Sequence, residues 1–172
     1  IGDLDSVDHG DSLKMGGKWA NLLPSIPEGK NYLWHTERGG GEDLFRWRSR
    51  YWSFLLKLSK ARPSWTIQAQ PGSAIGPFHW RNRRLSMREM CRLQTFPDDY
   101  DITGGITAVQ RQLGNAVPSA LGEVLGLEIR RQLLAHQRVR TAPRLIPSAR
   151  DCPTSEKASP VPDEYLTQEM SA

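Results

Sequence analysis

Residues 83–100, which read RRLSMREMCRLQTFPDDY, contain the clearest folding signals of the chain. Ser86 and Glu89 have the spacing of a capping box, in which the hydroxyl accepts from an amide of the first helical turn and the carboxylate bonds back to the N-cap amide. Met90 begins an apolar side, and Pro97 ends the pattern. The stretch therefore predicts a short helix that begins after Ser86 and packs on one side.

Two further helices are predicted on the C-terminal side of this stretch. The first covers residues 107–113 and ends at the Gly-Asn pair of residues 114–115. The second begins near Pro118, because proline is favoured in a first helical turn. Its apolar residues cover more than one narrow stripe, so we expect it to pack against more than one neighbour. Residues 137–172 are rich in Arg, Ser, Thr and Pro and are predicted to form a disordered tail.

The N-terminal side has weaker periodicity. Residues 1–18 are rich in Gly and Asp and are predicted to be a loop. Residues 19–60 contain scattered tryptophans, which can supply packing that short strands cannot. Three arginines alternate with other residues over 46–51, which suits a strand facing DNA; an exposed edge strand with solvated arginines is the alternative. Residues 63–69 alternate polar and apolar side chains, and this alternation predicts a short strand.

The composition narrows the class of protein only slightly. The net charge is +4, which is compatible with a nucleic acid, an acidic membrane surface or neither. Two cysteines provide no disulfide framework, and together with four scattered histidines they give no metal-ligand spacing. The sequence has no apolar run long enough to cross a bilayer and no signal peptide, so a reducing, cytoplasmic setting is expected. Because the first residue is Ile1, we expect further sequence to precede it.

Three stretches resemble motifs of the DNA cytosine-5 methyltransferases. Residues 83–100 resemble the ninth conserved motif of that family, and residues 110–118, which read QRQLGNAVP, resemble the tenth. Residues 62–69, which read RPSWTIQA, are similar to the segment that closes the family's target-recognition domain. Ser86 stands where threonine is commoner and keeps the capping hydroxyl. The resemblance covers about residues 62 to 135.

The resemblance implies a mixed α/β fragment with four parts. Residues 1–80 would form an irregular, β-rich target-recognition domain, and residues 81–105 would form a hinge motif with the short capped helix. Residues 106–136 would be the C-terminal helices of the cofactor domain, followed by the disordered tail of residues 137–172. The helices would pack on a doubly wound α/β cofactor domain that is largely missing from this chain.

The resemblance also implies an activity, namely transfer of a methyl group from S-adenosylmethionine to C5 of a flipped cytosine in a specific double-stranded DNA sequence. The setting would be a restriction-modification or DNA-methylation system. Such an enzyme must extrude the base and grip the flanking phosphates. Thr66 matches the family's backbone-contacting hydroxyl, and Arg81 and Arg84 are candidate phosphate ligands. The alternatives are a threonine at home in an ordinary strand and arginines that pair with neighbouring carboxylates.

The helical arginines have a different expectation. Arg88 and Arg92 lie within the predicted capped helix, where pairing with Glu89, Asp98 or Asp99 is favoured over contact with DNA. The candidate phosphate ligands of this region are therefore the two arginines that precede the helix.

The resemblance assigns the turn after residue 113 to the cofactor. Asn115, Ala116 and Val117 match the turn that lines the family's S-adenosylmethionine pocket. Gly114 permits close approach or a positive φ, and Asn115 offers both a donor and an acceptor. The alternative is a turn between two helices with a Gly-Asn C-cap.

No catalytic residue is predicted in this chain. The family's nucleophile is a cysteine that follows a proline, whereas Cys91 lies within the capped helix and Cys152 follows Asp151. The isolated chain is therefore expected to be inactive without an N-terminal catalytic half, supplied by the same chain or by a separate subunit. A non-catalytic DNA-binding module and a helical interaction protein are the alternatives.

Overall fold

The computed structural model describes residues 1–4, 13–134, 142–146 and 151–167. Four α-helices lie in these ranges: α1 (Met87–Leu93), α2 (Ile106–Asn115), α3 (Ser119–Leu133) and α4 (Asp163–Leu166). Three short 3-10 helices precede them: Gly2–Leu4, Leu23–Ser25 and Tyr32–His35. Within the described ranges, no helix is long and apolar enough to cross a membrane.

The three helix predictions are confirmed. Ser86 caps α1, its hydroxyl accepting from the Glu89 amide at 3.2 Å while the Glu89 carboxylate accepts from the Ser86 amide at 2.8 Å. The second helix extends slightly beyond the predicted residues 107–113 at both ends. The third begins directly after Pro118, which is its N-cap residue. The capping box placed α1, and the apolar spacing together with Pro118 placed the other two helices.

The prediction of a mixed α/β fragment with a β-rich recognition domain is wrong. The described residues pair only in isolated antiparallel or parallel bridges, namely Lys14 with Arg83, Phe54 with Ile75 and Lys57 with Phe78. Residues 63–69, predicted as a strand, form none, and residues 46–50 contain a turn in which Arg48 has a φ of 57°.

Sequence composition explains why the bridges do not extend into ladders. Proline cannot donate to a ladder, and glycine weakens a strand interior. Pro63 and Pro71 flank the predicted strand, and Gly76-Pro77 lies between two bridging residues, Ile75 and Phe78. Each extended stretch therefore ends after one pairing.

Aromatic side chains form much of the core in place of a sheet. The half-buried Trp19 contacts three rings, with centroid distances of 5.3 Å to Phe45, 5.6 Å to Phe54 and 6.0 Å to Tyr165. Tyr32 meets Phe45 edge to face at 5.7 Å. Because aromatic side chains bury large areas, this first cluster can hold together backbone that has little regular structure.

A second cluster packs the two central helices against each other. Its buried members come from α1, α2 and the preceding loops: Leu58, Ile67, Trp80, Leu85, Met90, Cys91, Val109 and Leu113. The burial of Cys91 raises the pKa of its thiol. This position therefore suits a small apolar side chain and not a thiolate nucleophile.

Residues 151–167, which fall within the predicted disordered tail, lie against the first cluster. Tyr165 is 3% exposed, stacks on Trp19, and donates to the Lys18 carbonyl at 2.6 Å. The Glu28 carboxylate accepts from the Glu156 amide at 3.0 Å. This C-terminal segment therefore covers the N-terminal loops. Parts of the predicted loop and of the predicted tail lie outside the described residues, namely 5–12, 137–141, 147–150 and 168–172.

A buried ion pair joins the loop before α1 to its capping box. The two terminal guanidinium nitrogens of Arg83, Nη1 and Nη2, donate to the Glu89 carboxylate at 2.8 and 2.7 Å. The Glu89 side chain is fully buried. Burial raises the pKa of Glu89, but the hydrogen bonds from Arg83 and the Ser86 amide outweigh it and leave the pKa below its usual range. The carboxylate is therefore ionised in the folded chain at neutral pH.

A second buried polar contact lies in the first cluster. The His35 Nε2 atom is 2.8 Å from the Ser25 hydroxyl, and Nδ1 is 3.1 Å from the Glu42 carbonyl. Burial lowers the pKa of His35 below its usual value. The neutral ring is therefore the form that the fold stabilises.

We predict that Tyr165→Ala destabilises the chain by about 3–5 kcal/mol, because it removes a buried aromatic ring from the first cluster. Tyr165→Phe keeps the ring and loses only the hydrogen bond to Lys18, for about 1 kcal/mol. Leu166→Ala is the matched control, since Leu166 is 51% exposed. Urea unfolding measures all three, and equal stability of Tyr165→Ala and Leu166→Ala would contradict the packing of this segment.

We also predict that stability falls on acidification. His35 and Glu89 both have folded-state pKa values below those of the unfolded chain. Their contributions are present above the unfolded values, about 6.5 and 4.3, and are lost as the pH falls through the folded values. Glu89→Gln leaves Arg83 without its buried partner and is expected to cost about 3–5 kcal/mol at pH 7.

The measurement is the free energy of unfolding from pH 4 to 8. The control is Asp98→Asn, which removes a carboxylate from an exposed ion pair with Arg92. Exposed pairs contribute little, so this variant is expected to follow the unmodified chain. An equal effect of the two substitutions would show that burial of Glu89 does not matter for stability.

Candidate functional site

The turn between α2 and α3 is held by the residues that follow α1. The buried Gln94 donates from Nε2 to the Leu113 carbonyl at 2.7 Å, and its own carbonyl accepts from the Ser119 amide at 3.1 Å. The Thr95 hydroxyl accepts from the Ala120 amide at 2.8 Å, and Thr95 has a φ of 59°. The Leu-Gln-Thr sequence therefore supplies partners both for the last turn of α2 and for the first turn of α3.

Gly114 is the position where α2 passes closest to the extended segment of residues 64–69. A Cβ at Gly114 would lie 2.5 Å from the Ala69 Cα and 2.8 Å from the Gln68 carbonyl carbon, closer than real Cβ atoms approach. Gln110 donates to the Gln68 carbonyl at 3.3 Å, one turn earlier. Only glycine therefore fits at this contact, and the close approach that the sequence predicted is to the protein's own backbone.

The three predicted cofactor residues follow this contact. Asn115 is the last residue of α2 and is exposed, Ala116 is half-buried, and Val117 is 63% exposed. The C-cap residue is Ala116 with a φ of −81°, so neither Gly114 nor Asn115 serves as a left-handed C-cap. The geometry therefore differs from the ordinary Gly-Asn cap that was the alternative.

A cleft of about 290 Å³ lies between the turn and the extended segment. One wall comes from Ser64, Trp65, Thr66 and Ile67, and the other from Leu93, Gln94, Gly114, Ala116 and Pro118. Thr66 is exposed at this cleft. The fold therefore brings together one residue predicted for DNA, Thr66, and one predicted for the cofactor, Ala116.

The two predicted phosphate ligands lie elsewhere. Arg84 is half-buried, donates to the Ser73 carbonyl at 3.0 Å, and lines a separate cavity of about 370 Å³ beside Ile67 and Gln110. Arg81 is exposed in the turn before the capping box, and its amide donates to His79 Nδ1 at 3.1 Å. Neither lines the cleft that contains Thr66.

The expected pairing of the helical arginines is confirmed for Arg92. Its guanidinium makes two hydrogen bonds to the Asp98 carboxylate, at 2.7 and 2.6 Å, and also pairs with Asp3. Arg88 donates to the backbone carbonyl of Asp98 at 2.6 Å instead of to a carboxylate. Glu89, the third expected partner, is bound by Arg83.

Charge segregation is a signal that motif reading missed. Residues 44–88 contain ten Lys and Arg and no Asp or Glu. Lys57 donates to Asn82, Lys60 pairs with Glu28, and Arg83 pairs with Glu89, while Arg84 and Arg88 donate to backbone carbonyls. Several of the others are exposed, including Arg46, Arg48, Arg50, Arg62 and Arg81. This part of the chain therefore presents a positive surface that suits a polyanion.

Helix α3 presents a contrasting surface. Five large aliphatic side chains are between 39% and 74% exposed: Leu121, Val124, Leu125, Ile129 and Leu133. Of its residues, only Ala120 is buried. A contiguous apolar face of this kind indicates an interaction surface.

The family comparison matches the chain over the same residues that form the site. The model of the family described as "C-5 cytosine-specific DNA methylase" matches residues 28–131. Type II methyltransferase M.SacI of Streptomyces achromogenes is 50% identical over 127 residues, which cover 68% of this chain and 33% of that protein. No solved structure matches the chain significantly.

More distant relatives extend the same similarity. Type II methyltransferase M.NgoFVII of Neisseria gonorrhoeae is 33% identical over 114 residues, 66% of this chain and 29% of that protein. DNA (cytosine-5)-methyltransferase 1 of Gallus gallus is 42% identical over 69 residues, 40% of this chain and 4% of that protein. The chain spans about a third of the length of these two bacterial relatives. By this match over residues 28–131, the chain belongs to the C-5 cytosine-specific DNA methylase family.

Proposed function

We propose that this chain is the DNA-recognition and cofactor-closing part of a DNA (cytosine-5)-methyltransferase. The whole enzyme transfers a methyl group from S-adenosylmethionine to C5 of a flipped cytosine in a specific duplex sequence, in a restriction-modification or DNA-methylation system. In this assignment residues 1–80 belong to the target-recognition domain, residues 81–105 to the hinge, and residues 106–136 to the cofactor domain.

One observation carries the proposal. Thr66 and Ala116 line the same cleft, and Gly114, which also lines it, lies in close contact with the backbone of Ala69. A methyl transferase must bring a DNA base and a methyl donor to one place, because orientation of two reactants accounts for much of the barrier reduction. A turn for the cofactor and a hydroxyl for DNA on opposite walls of one cleft provide that arrangement.

The residues of the turn fit a part of an S-adenosylmethionine site. The exposed Asn115 amide offers a donor and an acceptor for polar groups of the ligand. The small Ala116 side chain leaves room at the cleft, and the exposed Val117 offers an apolar contact. S-adenosylmethionine supplies the methyl group when it is bound; these residues bind and orient it.

The DNA side of the proposal uses the positive surface. The Thr66 hydroxyl donates a hydrogen bond to the DNA backbone at the cleft, while Arg81 and Arg84 neutralise phosphates farther along the DNA. Arg84 is half-buried against the Ser73 carbonyl, so it acts as a positioned contact. Double-stranded DNA is the partner that suits an acid-free stretch of 45 residues in this family.

The apolar face of α3 is the proposed docking surface for the N-terminal catalytic half, in the same chain or in a separate subunit. The relatives are about three times as long as the matched region, so a large domain accompanies this part in them. A helix of 15 residues is marginal in water and needs burial of its apolar face. The catalytic half supplies that burial together with the nucleophile.

We predict that the chain alone transfers no methyl group to duplex DNA and that an N-terminal catalytic half restores activity. The N-terminal part of the Streptomyces achromogenes relative is a suitable half because that protein is 50% identical over the shared region. Labelled S-adenosylmethionine and mixed-sequence duplex DNA measure the transfer. Incorporation by the chain alone would contradict the division of the enzyme proposed here.

In the restored enzyme, we predict that Asn115→Ala raises the KM for S-adenosylmethionine by about 5- to 10-fold, as expected for one lost hydrogen bond. The KM for DNA is expected to change less. Gln112→Ala is the control, because Gln112 is exposed on the same helix one turn before Asn115 and its side chain donates to the Thr103 carbonyl. A weaker interaction with DNA at an unchanged KM for S-adenosylmethionine would remove Asn115 from the cofactor site.

We predict that the amides around Leu121 and Leu125 exchange rapidly in the free chain and become protected when the catalytic half binds. The aliphatic face of α3 is exposed in this chain, and docking of the catalytic half would bury it. Hydrogen exchange of the free and combined proteins measures this, with the α1 amides of the second cluster as an internal reference. Strong protection of α3 in the monomeric free chain would show that this face already has a partner within the chain.

A further inference from the structure

Two exposed tryptophans, Trp52 and Trp65, meet beside Thr66, and the exposed Tyr51 precedes one of them in the sequence. Tyr51, Trp52 and Trp65 are 82%, 54% and 44% exposed, whereas Trp19 and Trp80 pack in the two clusters. The rings of Trp52 and Trp65 meet edge to face with centroids 5.6 Å apart. Large exposed apolar patches mark interaction sites, because their solvation is costly. We call Trp52 and Trp65 the aromatic patch.

Buried groups fix the backbone that carries the aromatic patch. Asn31 is 4% exposed and donates from its side chain to the Trp52 carbonyl at 2.7 Å. The hydroxyl of the buried Tyr32 donates to the Arg50 carbonyl at 2.8 Å and accepts from the Arg50 amide at 3.1 Å. These bonds hold residues 50–52 in place, so their side chains are presented by a rigid support and not by a loose loop.

A further bond joins the two segments of the patch. Gln68 donates from Nε2 to the Ser53 hydroxyl at 2.9 Å. Ser53 follows Trp52, and Gln68 lies three residues after Trp65, so this bond keeps the two tryptophans in register. Because the same extended segment carries Thr66, the patch and the cleft share one support.

The charges around the patch favour a nucleic acid over a second copy of this chain. Arg48, Arg50 and Arg62 are exposed near the patch in sequence, and the whole stretch of residues 44–88 lacks a carboxylate. Two such surfaces would repel each other. A polyanion with flat aromatic faces complements both the arginines and the rings, since stacking of bases on aromatic side chains tolerates any sequence.

We propose that the aromatic patch stacks on a nucleobase that loses its own stacking and pairing partner when the DNA is opened beside Thr66. The inference rests on the proposed DNA recognition and names the residues that stabilise the opened duplex. Extrusion of a base costs a few kcal/mol of stacking and pairing. A rigid aromatic surface next to the opening offsets that cost.

The experiment measures binding of the 172-residue chain to two duplexes of identical sequence. One is intact, and the other has a single abasic site opposite guanine, so that its guanine is already unpaired. We expect tighter binding to the abasic duplex. Trp52→Leu and Trp65→Leu are expected to reduce that affinity by at least about fivefold, the loss typical of one stacked base, and to leave the salt dependence unchanged because no charge is removed.

Two further variants test whether the preference for the abasic duplex depends on an aromatic ring in the aromatic patch. Trp65→Phe keeps an aromatic face and is expected to retain most of the preference for the abasic duplex. Tyr100→Ala is the matched control, since Tyr100 is 49% exposed and lies outside the acid-free stretch. Thermal unfolding of each variant verifies the fold, and the exposure of these side chains predicts unfolding temperatures close to that of the unmodified chain.

The outcomes separate this inference from the proposed function. If the unmodified chain binds DNA with a strong salt dependence but both leucine variants bind equally well, the stacking role is overturned and DNA recognition stands. If the unmodified chain binds neither duplex, both are overturned. If the leucine variants lose self-association instead of DNA affinity, the patch is a protein interface and the inference is wrong.

Discussion

The hydrogen bonds of Gln94 are the constraint on which the rest of the site depends. The Gln94 side chain donates to the end of α2, and the Gln94 backbone carbonyl accepts from the start of α3. The Thr95 hydroxyl accepts from the next amide of α3. These contacts hold the turn that carries Asn115 and that forms one side of the cleft. The buried pair of Arg83 and Glu89 supports them indirectly, because it fixes the N-terminus of the helix that carries Gln94.

The helices could be predicted from the sequence because their determinants are local. A capping box, a proline at a helix start and the apolar spacing each act within one or two turns. The loop-rich N-terminal part could not be predicted in this way. Alternation over residues 63–69 resembles a strand, but a strand needs a partner, and neighbouring prolines limit pairing to isolated bridges. Tyr165 is the clearest example, since its burial depends on Trp19, which lies 146 positions away and has no local signal.

The candidate site was predictable to a similar extent. The motifs singled out Thr66 and Ala116, and the fold places both at one cleft. The sequence predicted that another group could approach Gly114 closely, but it did not identify that group. The group is the backbone of Ala69, and no spacing in the sequence reveals this contact. The aromatic patch was missed for a related reason. The sequences around Trp19 and Trp52 do not show which tryptophan is buried. Only the packing of the first cluster decides this.

The chain presents two surfaces whose chemistries exclude each other's partners. The aliphatic face of α3 offers no hydrogen bond or charge to a phosphate, and the arginines around the aromatic patch are too costly to desolvate in an apolar interface. The proposed protein partner of α3 and the proposed nucleic acid partner of residues 44–88 therefore need separate surfaces. The two surfaces are connected through the contact of Gly114 with residues 68–69. Because that contact leaves no room for a side chain, α2 and the segment that carries Trp65 and Thr66 stay in direct backbone contact next to the start of α3.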